Sequence, residues 1–285
     1  MSKRYLLFSG CLIPTRLPFL EASSRYVLDK LDVVYSPFPD ATCCVEPIGL
    51  RSLGNDTWLA MSARLLSIAE ENESTVLSLC NGCFMSLVEA RHELKNAATR
   101  KRINELIERT GHRYEGNAEV KHLLQLVHEN EAQVRPAAVR RMEHLDLALH
   151  PGCHLMRPSE VLREERRYSP KALAEVVSWT GARTVDDPEW AQCCGGGLAG
   201  IDDSISASIL NENVARFRES GANCIVTPCP FCFVQFDLRQ KDGIPVLYLA
   251  ELLALAFGAS PDKIGLKYHR TKLPSSIGSA AALAP

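Results

Sequence analysis

The sequence predicts an α/β protein made of two lobes that repeat one βαβ plan. Short apolar runs alternate with longer segments of helical periodicity, which is the pattern of a mostly parallel sheet. Five cysteines also occur in the same order, with similar spacing, in each half of the 285 residues. We therefore expect one domain over residues 1–135 and a second over 136–285, related by a pseudo-twofold axis. A small-residue tail over 274–285 is expected to be disordered or used in docking.

The elements of the two halves match in order. An apolar run begins at Tyr5 and is broken at Gly10 in the first half, and another begins at Leu147 and is broken at Gly152 in the second. An amphipathic helix follows in each half, marked first by Trp58, Met61, Leu65 and Ile68 and then by Leu210, Val214 and Phe217. A strand comes next, over 75–79 and 224–227, before matching segments at 120–127 and 246–253. Two Rossmann-like βαβ lobes are the expected result.

Composition and charge exclude several classes of protein. Hydrophobic residues make up 46% and charged residues 23% of the chain, and 32 Lys and Arg against 34 Asp and Glu leave a net charge of −2. A chain so close to neutral lacks the dominant basic surface that binds nucleic acid or anionic lipid. No apolar stretch reaches the ~18 residues of a membrane span, and the apolar run before Ser9 is too short for a secretory signal. We expect a cytoplasmic protein whose contact with a membrane, if any, is indirect.

Eleven cysteines are the feature that points to function. Disulfides are rare in the cytoplasm, so cysteines in this number indicate metal or redox chemistry. Ten of them repeat one pattern, a single cysteine, an adjacent pair and a CxxC motif: Cys11, Cys43, Cys44, Cys80 and Cys83, then Cys153, Cys193, Cys194, Cys229 and Cys232. Cys224, the eleventh, falls inside a predicted strand and is expected to pack in the core.

The number of cysteines in each half restricts the kind of site. Loops at the carboxyl ends of parallel strands meet in one crevice, so the five cysteines of each half should form one site. A structural zinc takes four ligands, a cubane iron–sulfur cluster takes four thiolates, and a redox CxxC uses two cysteines. A polynuclear iron–sulfur centre with five thiolates in each half accounts for all ten cysteines. A purely structural zinc protein is the competing interpretation.

The pattern resembles the cysteine-rich CCG domain, here duplicated, and in particular the B subunit of heterodisulfide reductase. The motifs that carry the resemblance are Cys80-Asn-Gly-Cys83, His150-Pro-Gly-Cys153, Cys193-Cys-Gly195 and Cys229-Pro-Phe-Cys232. In that family each CCG motif is associated with a non-cubane 4Fe-4S cluster held by five cysteines, and the two clusters face each other across the active site. There a disulfide, typically that of coenzyme M and coenzyme B in methanogenesis, is reduced to two thiols.

The resemblance also implies partner proteins, and it leaves an alternative metal and alternative functions open. Electrons would arrive through the ferredoxin-like C subunit, which carries cubane clusters, from the flavin-containing A subunit. Val45 stands where the second motif has Gly195, so the first turn either differs or already suits a side chain, and zinc is an alternative occupant of that site. The duplicated domain also resembles electron-relay subunits of flavin-linked dehydrogenases and a sulfur-oxidising relative of heterodisulfide reductase that acts on a persulfide or carrier-bound thiol.

Three residues near the first cysteine of each repeat are candidates for contact with a substrate. His154 could donate a proton to a departing thiolate, or it could pack against its loop. Arg16 and Arg157 could each hold an acidic tail of the substrate through the guanidinium group, or they could be solvated. Splitting a disulfide takes two electrons and an iron–sulfur cluster usually passes one at a time, so two centres flanking the disulfide could each deliver one.

Overall fold

A computed structural model describes residues 3–45, 49–165, 167, 169–241, 243–273 and 277 of the chain. These residues form two four-stranded parallel sheets, one in each half. The strands of the first sheet are β1 (Tyr5–Phe8), β2 (Tyr35–Pro37), β3 (Thr75–Ser78) and β4 (Val120–His122). The strands of the second sheet are β5 (Asp146–Leu149), β6 (Arg183–Thr184), β7 (Cys224–Thr227) and β8 (Val246–Tyr248). Apart from residue 277, the tail over 274–285 lies outside the described residues.

The two sheets have the same topology. Their strand orders are β2-β1-β3-β4 and β6-β5-β7-β8, and each neighbouring pair is parallel. In the central pairs, Leu6 lies opposite Val76 and Ala148 lies opposite Ile225. Strands β1, β3 and β7 are buried along their whole length, as expected of apolar strands in parallel sheets covered by helices. The predicted class, α/β with two pseudo-repeated Rossmann-like βαβ lobes, is confirmed.

Helices connect successive strands. Those of the first half are α1 (Leu12–Arg16), α2 (Pro18–Lys30), α3 (Leu50–Leu53), α4 (Asn55–Glu71), α5 (Asn81–Glu93), α6 (Ala97–Ile107), α7 (Leu123–Glu129) and α8 (Glu131–Ala137). Those of the second half are α9 (Ser159–Glu164), α10 (Ala172–Trp179), α11 (Asp203–Glu219), α12 (Pro230–Leu238) and α13 (Leu249–Ala256). Within the part of the chain that the structure describes, no helix combines the length and the apolar character needed to cross a bilayer.

The helix that precedes each CxxC motif is amphipathic, as the sequence predicts. In α4, Trp58, Leu65 and Ile68 are buried and Met61 is partly buried. The buried positions of α11 include Leu210, Val214 and Phe217. Each of these helices packs its apolar side against the core. The helix is followed by a central strand, β3 or β7, and the CxxC cysteines come after the carboxyl end of that strand.

The lobes pack through equivalent helices. Helix α2, which follows β1, lies against α13, and α10, which follows β5, lies against α7. Two tyrosines also bridge the lobes: Tyr26 Oη donates a hydrogen bond to the Phe257 carbonyl at 3.4 Å, and Tyr248 Oη donates one to the Leu79 carbonyl at 2.5 Å. The proposed boundary between residues 135 and 136 falls within α8, and the division into two domains stays a prediction.

Candidate metal centre

The loops at the carboxyl ends of the central strands carry the cysteines. Cys11 and Cys80 follow β1 and β3 in the first lobe, and Cys153 and Cys229 follow β5 and β7 in the second. Cys80 is the N-cap of α5 and Cys229 is the N-cap of α12, so each CxxC motif occupies the first turn of a helix. The unpaired N–H groups at a helix N-terminus stabilise negative charge, which favours thiolates in this position.

The cysteines of both lobes line a single cavity between the lobes. Among the cysteines that line it, Cys11 is exposed, whereas the cysteines of both CxxC motifs are buried. Its cysteines are Cys11, Cys43, Cys44, Cys80, Cys83, Cys153, Cys193, Cys194, Cys229 and Cys232. Its other lining residues are Ser9, Leu12, Asn81, Gly82, His154, Gly197, Pro230 and Phe231. The structure therefore brings together every cysteine of the repeated pattern, and the role of these cysteines as ligands stays a prediction.

Neighbouring thiols interact within each lobe and across the boundary. Cys44 Sγ lies 3.2 Å from Cys83 Sγ. In the first lobe, interactions also join Cys11 to Cys43, Cys43 to Cys44 and Cys83 to Cys80. In the second lobe, they join Cys153 to Cys193, Cys193 to Cys194, Cys194 to Cys232 and Cys232 to Cys229. Because Cys80 also interacts with Cys229, the ten thiols form one continuous group.

The donor set fits iron–sulfur clusters, because thiols crowded in this way cannot all ionise without a cation. A neighbouring thiol is the largest cause of a raised pKa, and burial adds to it, at Cys11, Cys44, Cys80, Cys83, Cys153, Cys194 and Cys232. The same interactions lower the pKa of Cys193 and Cys229, so a few thiolates are stabilised by thiols that stay protonated. Iron would favour the thiolate form of all ten. None of these cysteines is in a disulfide.

Both adjacent cysteine pairs lead into left-handed turns. Val45 has a φ of 56° and Gly195 a φ of 79°, so the replacement of glycine by valine leaves the hand of the turn unchanged. The first turn therefore does not differ in hand from the second, and Val45 is buried with 5% of its surface exposed. A β-branched residue in this region is strained by about 1–3 kcal/mol, so surrounding contacts must hold it in place.

Ser86 supplies those contacts in the first lobe. Trp58 Nε1 donates a hydrogen bond to Ser86 Oγ at 2.7 Å. Ser86 Oγ in turn donates to the Cys44 carbonyl at 2.7 Å and lies 3.1 Å from the Val45 carbonyl. A buried helix thereby fixes the backbone on which Cys44 is carried.

Ser206 has the corresponding role in the second lobe. Its Oγ donates to the Gly195 carbonyl at 3.0 Å and accepts a hydrogen bond from Gln235 Nε2 at 3.0 Å. The Gly195 N–H also points to Cys193 Sγ, at 3.3 Å. Each turn is therefore held by a serine hydroxyl, but the two serines lie on helices that are not equivalent in the repeat. The spacing of the cysteines does not reveal this difference.

Asn81 joins the two motif loops across the lobe boundary. Its Nδ2 donates a hydrogen bond to the Pro151 carbonyl at 2.6 Å. This close approach depends on Gly152, which has a φ of 78° and at which a Cβ atom would overlap Asn81 Nδ2. The CxxC motif of the first lobe is thereby fixed to the loop that carries Cys153.

Of the three candidate substrate residues, His154 is the one that lies at the cavity. Its Nδ1 is 3.8 Å from Cys153 Sγ, and the residue is partly buried. Arg16 ends α1 and Arg157 follows the turn at Cys153, and both are exposed and outside the lining of the cavity. The role of the two arginines in holding an acidic tail stays a prediction.

His150 is a site residue for which the sequence predicts no role. It follows β5 directly and is fully buried, at 0% exposure. One of its ring nitrogens lies within 4.8 Å of the Sγ atoms of Cys194 and Cys232. Burial lowers the pKa of His150 to about 4, so the ring is neutral at pH 7. The signal in the sequence is the alignment of the repeats, in which His150 stands opposite Phe8.

The fold and the two five-cysteine sites define a protein with a duplicated cysteine-rich domain. The model of the CCG family, described as "Cysteine-rich domain", matches residues 5–88 and 147–237, one match in each lobe. The chain belongs to this family.

Curated relatives cover almost the whole chain. The B subunit of the ferredoxin/F420H2-dependent CoB-CoM heterodisulfide reductase of Methanosarcina acetivorans is 36% identical, over 92% of this chain and 92% of its own. A protein of Archaeoglobus profundus described as like the heterodisulfide reductase B subunit is 32% identical, over 92% and 93%. The 8-methylmenaquinol:fumarate reductase membrane anchor subunit of Wolinella succinogenes is 27% identical, over 94% and 97%. These relatives confirm the resemblance to the B subunit of heterodisulfide reductase and the expectation of an oxidoreductase.

A solved structure shares the fold. The crystal structure of a hypothetical protein from Helicobacter pylori superposes with a TM-score of 0.76 at 16% sequence identity. The match covers 96% of this chain and 53% of that chain, so this chain spans about half the length of the H. pylori protein. At this identity the comparison supports the arrangement of the two lobes and nothing about activity.

Proposed function

We propose that the chain is the catalytic subunit of a heterodisulfide reductase-type complex. It reduces the disulfide of coenzyme M and coenzyme B, or a related disulfide, to two thiols, and a persulfide in the same site would give one thiol and hydrogen sulfide. The reaction consumes two electrons and two protons for each disulfide, and one S–S bond is replaced by two S–H bonds. The names of the relatives at 36% and 32% identity support this assignment.

One observation carries the proposal: the cysteines of both lobes line the same cavity. Two separate redox centres would each need an opening of their own, whereas a shared cavity lets one substrate meet both. The interaction of Cys80 with Cys229 supports this arrangement, because it joins the two cysteine sets at the lobe boundary.

The cysteines would hold two non-cubane 4Fe-4S clusters, one in each lobe. Cys11, Cys43, Cys44, Cys80 and Cys83 would hold the first, and Cys153, Cys193, Cys194, Cys229 and Cys232 the second. When bound, the clusters supply the electrons for cleavage of the disulfide. Zinc is the alternative occupant of the first site, and the turn after Cys43 and Cys44 does not exclude either metal, since Val45 has the left-handed backbone that Gly195 has in the second site.

Other side chains of the cavity would bind the substrate and move protons. His154, beside Cys153, would donate a proton to a departing thiolate. Phe231 is 38% exposed and offers an apolar surface to the carbon chain of a substrate. Arg16 and Arg157 lie outside the cavity, where their guanidinium groups would hold acidic tails that extend beyond it.

The proposed complex contains two partner proteins. A ferredoxin-like C subunit with cubane clusters would deliver electrons, and a flavin-containing A subunit would be their source. The location would be cytoplasmic, since ten cysteines must remain reduced to hold iron.

A second candidate function has specific support. The Wolinella relative is named as the membrane anchor subunit of a fumarate reductase, and it matches 94% of this chain. The alternative is therefore an electron-relay subunit of a flavin-linked dehydrogenase or reductase, in which the two centres pass electrons and bind no disulfide. A sulfur-oxidising complex of the heterodisulfide reductase type would instead run the chemistry of the same cavity towards oxidation.

The deciding experiment combines metal analysis with an assay of the purified chain. Protein prepared without oxygen should contain about eight irons and a similar amount of acid-labile sulfide, because two four-iron centres are expected. With a reduced viologen as electron donor, it should convert the coenzyme M–coenzyme B disulfide to two thiols. Fewer than about four irons would contradict the clusters, and full iron without thiol formation would favour the relay.

A further inference from the structure

His150 lies in the second cysteine site without a hydrogen-bond partner. Its ring is fully buried, and neither ring nitrogen has a partner among the described residues. A neutral imidazole carries one N–H donor, and a buried donor without a partner destabilises the folded state. Such groups are rare in folded proteins, so this donor needs a partner that belongs to the functional state of the site.

Aromatic rings and cysteine sulfurs lie around the His150 ring, and the charges of Arg216 and Asp187 also act on it. Phe236 and Phe217 pack edge-on against it, with ring centroids at 4.8 Å and 6.5 Å. A ring nitrogen lies within 4.8 Å of both Cys194 Sγ and Cys232 Sγ. The backbone N–H of His150 donates to the Val226 carbonyl at 2.9 Å, which fixes the residue to the neighbouring strand. The ring therefore packs against two phenylalanines and has two cysteine sulfurs within reach of a ring nitrogen.

The first lobe has no such donor at the equivalent position. Phe8 stands there and is 1% exposed, and its ring packs against Phe38 at 5.4 Å between centroids. The two cysteine sites therefore also differ in the polarity of the residue at the end of the first strand.

We infer that His150 donates a hydrogen bond from its ring N–H to the cysteine sulfurs of the second centre, and so makes that centre the one with the higher reduction potential. The inference rests on the iron–sulfur part of the proposed function, and it does not depend on the identity of the substrate. Hydrogen bonds to the sulfurs of a cluster stabilise its reduced, more negative state. The pair of centres would therefore be unequal, and the second centre would be reduced first. His150 is a positioning and tuning residue, since it acts through the ligands.

The test is a redox titration of the anaerobic full-length chain, followed by EPR. In His150→Phe, which copies the first lobe, one of the two reduction steps should shift to lower potential while the other stays unchanged. His150→Gln, which retains an N–H donor, should restore part of the shift. Phe236→Leu is the matched control: it changes the packing of the ring without removing the donor, and both steps should stay close to those of the wild type.

Two results would overturn the inference. One is a full complement of iron with both reduction steps unchanged in His150→Phe and in His150→Gln. The other is evidence that His150 is itself a ligand of iron. Such evidence would be a strong nitrogen hyperfine coupling in histidine-labelled protein, or the loss of one centre in both His150 variants. A wild-type chain without iron would instead contradict the proposed function, so the two failures are distinguishable.

Discussion

Cys80 and Cys229, the first cysteines of the two CxxC motifs, interact with each other across the lobe boundary. Each is the N-cap of a helix, and each follows a buried central strand. Because of this interaction, the two five-cysteine sets are electrostatically coupled. The interaction raises the pKa of Cys80 well above its ordinary value and contributes to the lowered pKa of Cys229. The two lobes therefore share one electrostatic environment where their helices begin.

Removal of a proposed ligand should separate the ten pattern cysteines from the eleventh. In Cys80→Ala we expect the iron content to fall from about eight to about four per chain, because one four-iron centre loses a ligand. Cys224→Ala is the control, since Cys224 is fully buried in β7 and does not line the cavity. It should retain all the iron. Loss of iron in the Cys224 variant alone would contradict the assignment of ligands.

The close contact at Gly152 should be intolerant of a side chain. In Gly152→Ala the new Cβ would overlap Asn81 Nδ2 and would disrupt the bond to the Pro151 carbonyl. We expect a loss of about 2–4 kcal/mol in the free energy of unfolding, which combines left-handed strain with a broken buried hydrogen bond. Gly200 is a matched control, because its φ is 84° and no atom lies within 4 Å of a Cβ there. Gly200→Ala should lose about 1–2 kcal/mol. Equal losses in denaturant unfolding of the two variants would refute the steric argument.

Ser86 should be needed for the first centre in particular. Ser86→Ala leaves the buried Trp58 Nε1 and the Cys44 carbonyl without a partner, so we expect a loss of about 1–3 kcal/mol in stability. Iron should be lost from one centre, since the strained turn at Val45 is no longer held. Metal analysis and EPR of the variant check this outcome. A variant that loses both centres in equal measure would show that the role of Ser86 is not local.

Stability should fall as the pH rises through the range in which His269 titrates. Burial alone would lower the pKa of this ring, but Glu251, at 2.9 Å, and Asp237 outweigh it, so the pKa is raised. A raised pKa in the folded state means that the stabilisation is complete below about pH 6.5 and is lost as the pH rises through the folded value. The raised pKa of the buried Glu251 acts in the same direction from lower pH. Thermal unfolding should therefore show a Tm that declines above about pH 6.5, with a smaller decline in His269→Gln. An identical decline in the variant would contradict this assignment.

The exposed arginines should affect binding of acidic substrates. In Arg16→Ala or Arg157→Ala we expect KM for an acidic disulfide to rise about tenfold with kcat little changed, because one charge-assisted hydrogen bond is lost. A neutral disulfide should show no change. Arg113→Ala is a control, since Arg113 is exposed and paired with Glu115. An equal rise in KM for both types of disulfide would exclude a contact with the acidic tail.

The repeated fold could be predicted because the signal was local in the sequence. Tyr5 and Leu147 begin matching apolar runs, and the cysteines that follow mark the carboxyl ends of parallel strands. The direction of the chain through a parallel sheet then places those ends on one side. For this reason the sequence predicted two equivalent five-cysteine sites without knowledge of tertiary contacts.

The relation between the two sites could not be predicted in the same way. It depends on the packing of α2 against α13 and of α7 against α10, and on the bond from Asn81 to Pro151, which are long-range contacts. The conformation of the turn at Val45 could not be predicted either. Its backbone is held by Ser86, which is itself bound to Trp58, and both residues lie far from Val45 in the sequence. His150 had no recognisable role until its burial and its distance to two sulfurs were known.

The central claim is that the two lobes act together on one disulfide in a shared cavity. The most direct test is a single turnover of the fully reduced, anaerobic chain with one equivalent of the coenzyme M–coenzyme B disulfide. We expect two thiols to be released for each chain, and EPR should show the loss of one electron from each of two centres. Two thiols formed with oxidation of a single centre, or no thiols formed from a chain with both centres reduced, would contradict the account.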